Sequence, residues 1–288
     1  MKRILSIERG PAAHWVGDGF PVRTIFTFDS LGYRISPFLL LDYAGPREFP
    51  PADTPRGVDE HPHRGFETVT ILYQGELEHR DSAGNHGSLG PGDVQWMTAA
   101  SGVVHEEKHS GEFTRRGGTL EMVQLWVNLP AKYKMNPPSY QTLSSRQIPV
   151  AELPGGAGTL RVIAGEFGQI KGPARTFTPI NLWDVRLKAG HRGELALPRG
   201  YTTALFVLHG ELGLVDSERA GATDLVLLTH EGDRVPLEAR ADTTLLVLNG
   251  AAIDEPVAMH GPFVMNSPSE ITQAIEDYHR GRLGKLAA

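Results

Sequence analysis

Two stretches of this chain carry one pattern: residues 63–77 are HRGFETVTILYQGEL and residues 198–212 are PRGYTTALFVLHGEL. Arg, Gly, Thr and the closing Gly-Glu-Leu coincide, and the positions between them match in aromatic or aliphatic character. A second echo sets Gly92-Asp93, ahead of Val94–Thr98, against Gly232-Asp233, ahead of Arg234–Leu237. Two echoes in the same order, at similar offsets, predict a duplicated unit with each copy filling about half the chain. At 288 residues there is room for two ordinary cores.

The runs between turn signals say what the unit is made of. Val22–Phe28, Phe38–Tyr43, Phe66–Tyr73, Val94–Met97, Val103–His105 and Met122–Leu129 are short and β-rich, as are Leu182–Leu187, Thr203–Leu208, Leu225–Thr229 and Thr243–Leu248. Gly, Pro, Asp and Asn bound them, and 33 glycines with 21 prolines suit many strands joined by tight turns. Helical signals come only at the end. Ser267-Pro268-Ser269-Glu270 offers an N-cap, a proline at the first helical position and a capping-box glutamate. Ile271, Ala274, Ile275 and Tyr278 then share one face, and Gly281 or Gly284 should stop the helix. The expected fold is all-β, two tandem sandwiches or barrels followed by a C-terminal α-helix. Residues 1–130 should form the first domain, 131–149, with Pro137-Pro138, a linker, and 150–288 the second domain with the helix.

Composition excludes several classes of function. A formal net charge of −6 with no Lys/Arg-rich block argues against nucleic-acid binding, which needs a clustered cationic surface. No run approaches the ~20 apolar residues of a membrane-spanning helix, and Ile4–Ile7 is far too short for a signal-peptide core. A cytoplasmic setting is the expectation. Cysteine is absent, so any metal must be held by nitrogen and oxygen.

Such ligands are concentrated in the first copy. In His61-Pro62-His63-Arg64-Gly65-Phe66-Glu67, alternation along an extended segment puts His61, His63 and Glu67 on one face. A turn at Pro91-Gly92-Asp93 and a strand lead to Val103-Val104-His105-Glu106-Glu107, where His105 and Glu107 share parity and Glu106 faces away. Strands folded against each other would gather three histidines and one or two carboxylates. His14, His79, His86 and His279 are expected to be surface or hydrogen-bonded residues, and His109 to lie beyond the site. The second copy serves as a control. Aligned on the repeat, Ala196, Pro198 and Thr202 replace His61, His63 and Glu67. Aligned on Gly-Asp, Leu245 and Val247 replace His105 and Glu107. The candidate ligands disappear as a set while scaffold residues persist, so the second copy should hold no metal there.

Gly57-x3-His61-x-His63-x3-Glu67-x7-Gly75, then Pro91-Gly92-Asp93 and His105, resembles the two cupin motifs. His61-Pro-His-Arg-Gly-Phe-Glu-Thr-Val, Gln95-Trp-Met-Thr-Ala99, Gln124-Leu-Trp-Val-Asn128 and His260-Gly-Pro-Phe-Val-Met-Asn266 are similar to the signatures of the pirin family. The resemblance implies two jelly-roll-like cupin barrels, iron in the first and none in the degenerate second. It implies His61, His63, His105 and Glu107 as ligands, with Glu67 either the alternative carboxylate or a partner that orients a ligand. Three nitrogens and a carboxylate also suit Ni, Mn, Cu or Zn.

The implied activity is a quercetin-type flavonol 2,3-dioxygenase, using O2 to open the heterocycle with loss of carbon monoxide. Glu107 or Glu67 would accept the 3-hydroxyl proton, and Trp96, Met97 and Phe66 are candidates for an apolar wall, equally readable as barrel core. The alternative is a non-catalytic, iron-containing, redox-responsive regulator that contacts another protein. A sugar-phosphate isomerase would want several cations near the ligands, and Arg64 alone is close.

Overall fold

The repeated pattern marks one strand in each of two barrels. In the first copy seven strands follow in order: β1 (Gly57–His63), β2 (Phe66–Gln74), β3 (Leu77–Asp81), β4 (His86–Leu89), β5 (Val94–Thr98), β6 (Val103–His109) and β7 (Gly118–Asn128). The second copy repeats them as β8 (Arg192–Ala196), β9 (Thr202–His209), β10 (Glu211–Gly213), β11 (Arg219–Gly221), β12 (Leu225–Leu228), β13 (Arg234–Ala239) and β14 (Thr243–Gly250). In the first, β2 lies between β5 and β7 in a seven-stranded sheet, and β1-β6-β3-β4 form a four-stranded one. In the second, β9 lies between β12 and β14, and the smaller sheet runs β8-β13-β10-β11. The all-β class with a terminal helix is the one expected. These strands come from a computed structural model describing residues 1–214 and 218–286. Among the described residues no helix is long and apolar enough to cross a membrane.

Register corrects the second sequence echo. The loop before β5 is closed by Asp93, whose Oδ2 accepts from the Gly90 amide at 2.9 Å. Its counterpart is the loop before β12, where Asp224 Oδ2 accepts from the Gly221 amide at 2.8 Å. Gly232-Asp233 therefore lies one strand too late, and Leu245 and Val247 sit on β14, the counterpart of β7. Leu212 pairs with Ala239 as Leu77 pairs with His109, so His105 corresponds to Val235 and Glu107 to Leu237. Both apolar replacements are buried in a wholly apolar cluster with Leu195, Trp183 and Val247.

The units also divide differently from the expected single cut. One comprises Ala12–Thr24, Leu39–Ser145 and Ile253–Ala288; the other comprises Met1–Pro11, Ile25–Phe38 and Arg146–Ala252. Within 131–149, Ser139–Leu143 is a strand paired with β5. Lys134 is buried there, donating to the carbonyls of Gly65 (2.6 Å) and Val264 (2.9 Å) and to Asn128 Oδ1 (2.6 Å). Proline and polar residues look the same in an edge strand as in a linker, which is why composition missed it.

The C-terminal helix Pro268–His279 forms where expected: Ser267 accepts from the Glu270 amide, Pro268 opens the first turn and Gly281 follows the cap. It belongs to the first-copy unit, not to 150–288. Ile271 and Ala274 pack with Phe263, Met265, Val104 and Leu283. An apolar helix face predicts that the helix packs, but it does not name the barrel. The decisive contact is polar. Arg64 donates to the Ser101 carbonyl at 2.6 Å and to Asp277 at 3.0 Å, with its side chain 5% exposed.

Against the raising effect of burial, Arg64, Gln273 and Arg282 hold the Asp277 carboxyl below its ordinary value. Its contribution is thus present above about pH 4 and lost as acid protonates the group. Asp277→Ala strands the Arg64 guanidinium and should lower urea stability at pH 7 by about 1–3 kcal/mol. An unchanged midpoint would mean that Arg64 finds another partner.

Candidate metal centre

Antiparallel pairing of β1 with β6 sets His61 opposite His105 and His63 opposite Val103. Strand alternation turns His61 and His63 the same way, and His105 meets them from across the pair. Ring centroids stand 4.3 Å apart for His61–His105, 4.9 Å for His63–His105 and 4.8 Å for His61–His63. One donor atom from each ring falls within 4.8 Å of the other two. The three histidines gathered from sequence parity do converge.

Hydrogen bonding decides which nitrogens are free. His61 Nδ1 lies 2.7 Å from the Asp59 carbonyl and His63 Nδ1 lies 3.4 Å from the Pro262 carbonyl. A carbonyl can only accept, so each Nδ1 carries a proton, and in a neutral ring Nε2 then keeps its lone pair. His105 Nε2 is buried and has no hydrogen-bond partner within the protein. Burial, then the neighbouring His61, holds the His63 imidazole well below its usual range. His105 is held there by burial and by His61, His63 and His79. Neutral imidazoles with free Nε2 atoms, steadied through Nδ1, are the donors a transition metal takes. A buried polar atom left without a partner is otherwise costly. The residues fit a metal ion.

The two glutamates part company. A bulge interrupts the β1–β6 register between His105 and Glu107, yet parity along β6 holds. Glu106 faces outward to Arg80 at 2.5 Å, while Glu107 is buried. Gln95 donates to Glu107 Oε1 and Gln124 to Oε2, each at 3.0 Å. Its carboxylate lies within 4.8 Å of donor atoms on His105 and His79. Glu67 does not join them. Gly65, at φ +89°, breaks the strand between β1 and β2 and resets the alternation. A Cβ there would stand 1.9 Å from the Val264 carbonyl oxygen, so only glycine fits. Glu67 instead pairs across from Thr98, whose hydroxyl donates to it at 2.7 Å. Phe66, one residue earlier, flanks His63. The parity that grouped Glu67 with His61 and His63 fails at Gly65, and Glu67 joins neither cluster of donor atoms found among the described residues.

A cavity of about 260 Å3 opens over His61, His63 and Glu107, walled by Val16, Phe20, Val22, Met122 and Trp126. Trp96, Met97 and Phe66 are buried core residues and do not line it. Arg64, tied to Ser101 and Asp277, does not line it either. His14, His86 and His279 are exposed, and His109 is buried among Phe20, Phe49 and Phe113.

Sequence reasoning missed His79, which is 3% exposed. Its Nδ1 lies 3.4 Å from His105 Nδ1 and its Nε2 3.2 Å from Asp81. The sequence carries no local signal for it; the pairing of β3 with β6 sets Asp81 across from His105 and His79 across from Glu107.

Comparison with known proteins bears on the same residues. The family model described as Pirin matches residues 19–127, and the Pirin C-terminal cupin domain matches 182–284. A Pseudomonas aeruginosa protein, named provisionally as a quercetin 2,3-dioxygenase, is 59% identical over 98% of both chains. The crystal structure of a quercetin 2,3-dioxygenase from Acinetobacter baumannii superposes with a TM-score of 0.97 at 50% identity, covering 99% of both chains. A bacterial pirin from Escherichia coli, solved in complex with nickel(II), shares the fold at a TM-score of 0.63 and 17% identity, over 86% of this chain and 98% of that one.

Burial pushes the Glu67 carboxyl up to about 7 from its ordinary 4.5. The folded state keeps this proton to higher pH than the unfolded state. Stability from this group is therefore full below pH 4.5, falls between 4.5 and 7, and stays low above. Metal-free wild type should lose on the order of 2–3 kcal/mol relative to Glu67→Gln between pH 4.5 and 8. Parallel urea curves for the two proteins at both pH values would refute it.

Proposed function

Since the chain belongs to the pirin family, we propose that it is a metal-dependent dioxygenase cleaving flavonols such as quercetin with O2. One observation carries the proposal. Three imidazoles converge, His105 Nε2 is buried with no partner, and His61 and His63 open with Glu107 onto a cavity with apolar walls. His61, His63 and His105 would hold the metal with Glu107 as fourth ligand. Iron is the metal that family resemblance favours, and nickel, manganese, copper or zinc would suit the same donors. Such an ion supplies Lewis-acid and redox chemistry to the flavonol 3-oxygen and to dioxygen.

The rest falls to the protein. Phe20, Met122 and Trp126 would bury the aryl rings and keep water from the reacting face. Glu107, gripped by Gln95 and Gln124, is the carboxylate placed to take the 3-hydroxyl proton. Glu67, bonded to Thr98 and absent from the cavity lining, is less well situated for that role. A cavity with apolar walls beside the histidines favours a small aromatic substrate over a purely metal-switched surface for a protein partner, which needs no cavity. With Arg64 tethered elsewhere, no Lys or Arg among the described residues lines the cavity to receive a sugar phosphate.

Iron-loaded protein should bleach quercetin in air and not under argon. His61→Ala should lose bound metal and activity together. Glu107→Gln should lower kcat about 10²-fold or more, as loss of a general base does. Iron-loaded wild type that leaves quercetin untouched in air would remove this proposal.

A further inference from the structure

Behind His105, away from the cavity, stands a file of polar side chains that the proposed chemistry does not use. Asp81 Oδ2 lies 3.2 Å from His79 Nε2, and His79 Nδ1 lies 3.4 Å from His105 Nδ1. All three residues are at most 4% exposed. Asp81 is itself fixed, since its Oδ1 accepts from the Ala83 and Asn85 amides at 2.9 and 3.0 Å and its Oδ2 from Asn85 Nδ2 at 2.9 Å. The His79 ring is stacked on Tyr140, centroids 4.7 Å apart and planes 18° from parallel.

The file has a direction. Asp81 depresses as a carboxylate: its hydrogen bonds from His79 and Asn85 hold it below the usual range despite burial. A carboxylate can only accept, so His79 Nε2 must carry the proton, and in the neutral ring Nδ1 is then an acceptor. Gln95 gives the same answer independently. Tyr140 donates to Gln95 Oε1 at 3.0 Å and Gln95 Nε2 donates to Glu107 at 3.0 Å, which fixes the amide's orientation. The same Nε2 lies 3.3 Å from His79 Nδ1, again as a donor facing an acceptor. His105 Nδ1, facing that acceptor, must supply the proton. Its Nε2 is then left bare toward His61 and His63.

We propose that Asp81 and His79 are positioning residues that hold His105 in the Nδ1-protonated tautomer and so keep its Nε2 available as a ligand atom. The inference about ligation rests on the metal centre proposed above, whereas the tautomer belongs to the metal-free chain. His61 and His63 are oriented by backbone carbonyls, which mutation cannot remove. His105 alone depends on side chains, so it alone can be reversed by substitution. Asp81→Asn keeps an oxygen for the Ala83 and Asn85 amides and places an N–H donor against His79 Nε2. His79 must then carry its proton on Nδ1, and His105 must move its own to Nε2, where it blocks ligation.

Full-length wild type, Asp81→Asn, His79→Gln and His79→Phe test this. Long-range 1H–15N correlation on metal-free, 15N-histidine-labelled protein reads the protonated nitrogen of His105, and calorimetry with nickel(II) reads affinity. Thermal melts confirm folding. Wild type should show Nδ1–H at His105. Asp81→Asn should show Nε2–H and bind nickel about 10–100-fold more weakly, the usual effect of losing a partner behind a ligand. His79→Gln, whose carbonyl can still accept from His105, should retain more affinity than His79→Phe, which stacks but cannot accept. A folded Asp81→Asn protein with unchanged tautomer and affinity overturns the proposal. So does His79→Gln falling as far as His79→Phe, a comparison that decides the matter if Asp81→Asn does not fold. Wild type that binds no nickel would instead refute the metal centre, and the nitrogen spectra would still decide the tautomer.

Discussion

The pairing of β1 with β6 is the constraint on which the site depends. Backbone hydrogen bonds, not the imidazoles, decide that His61 faces His105, and nothing in the ladder distinguishes a histidine from a valine there. What the ladder delivers is proximity without compensation. The result is a cluster of nitrogens that repel protons, held together by strands whose stability is established elsewhere. The larger sheets and their apolar clusters carry the barrel, and the polar interior is tolerated because the surrounding frame over-determines it.

The second copy shows what the same frame does without that burden. Where the first barrel sets His61 against His105, the second sets Leu195, and not the Ala196 that the repeat alignment gives, against Val235, and Leu237 takes the place of Glu107. The interior closes into one continuous apolar cluster. One topology thus supports either a dry core or a ligand-lined cavity, and the choice rests on a handful of inward positions.

The three histidines were legible because strand alternation is local: His61 with His63 and His105 with Glu107 need only period two. Glu67 was misplaced because the same rule was carried across Gly65, where the backbone turns and the alternation restarts. His79 was invisible for a different reason. A lone histidine in a strand has no local signature of burial, and only the β3–β6 register brings it behind His105. The echo at Gly232-Asp233 misled because a dipeptide cannot specify which of several similar turns it occupies. The structure aligns a Thr223-Asp224 turn, with Thr223 at φ +70°, where a glycine would have made the match visible. The terminal helix was readable as a helix, from its cap and spacing, but its address was not, because the Arg64–Asp277 contact joins residues 213 positions apart.

That separation has a further meaning for how the protein matures. The Pro262 carbonyl facing His63 Nδ1 is 199 residues downstream of it, with the whole second barrel in between. During synthesis every imidazole emerges long before the segment that steadies one of them. A nascent first barrel therefore lacks both the carbonyl that faces His63 Nδ1 and the carboxylate that holds Arg64.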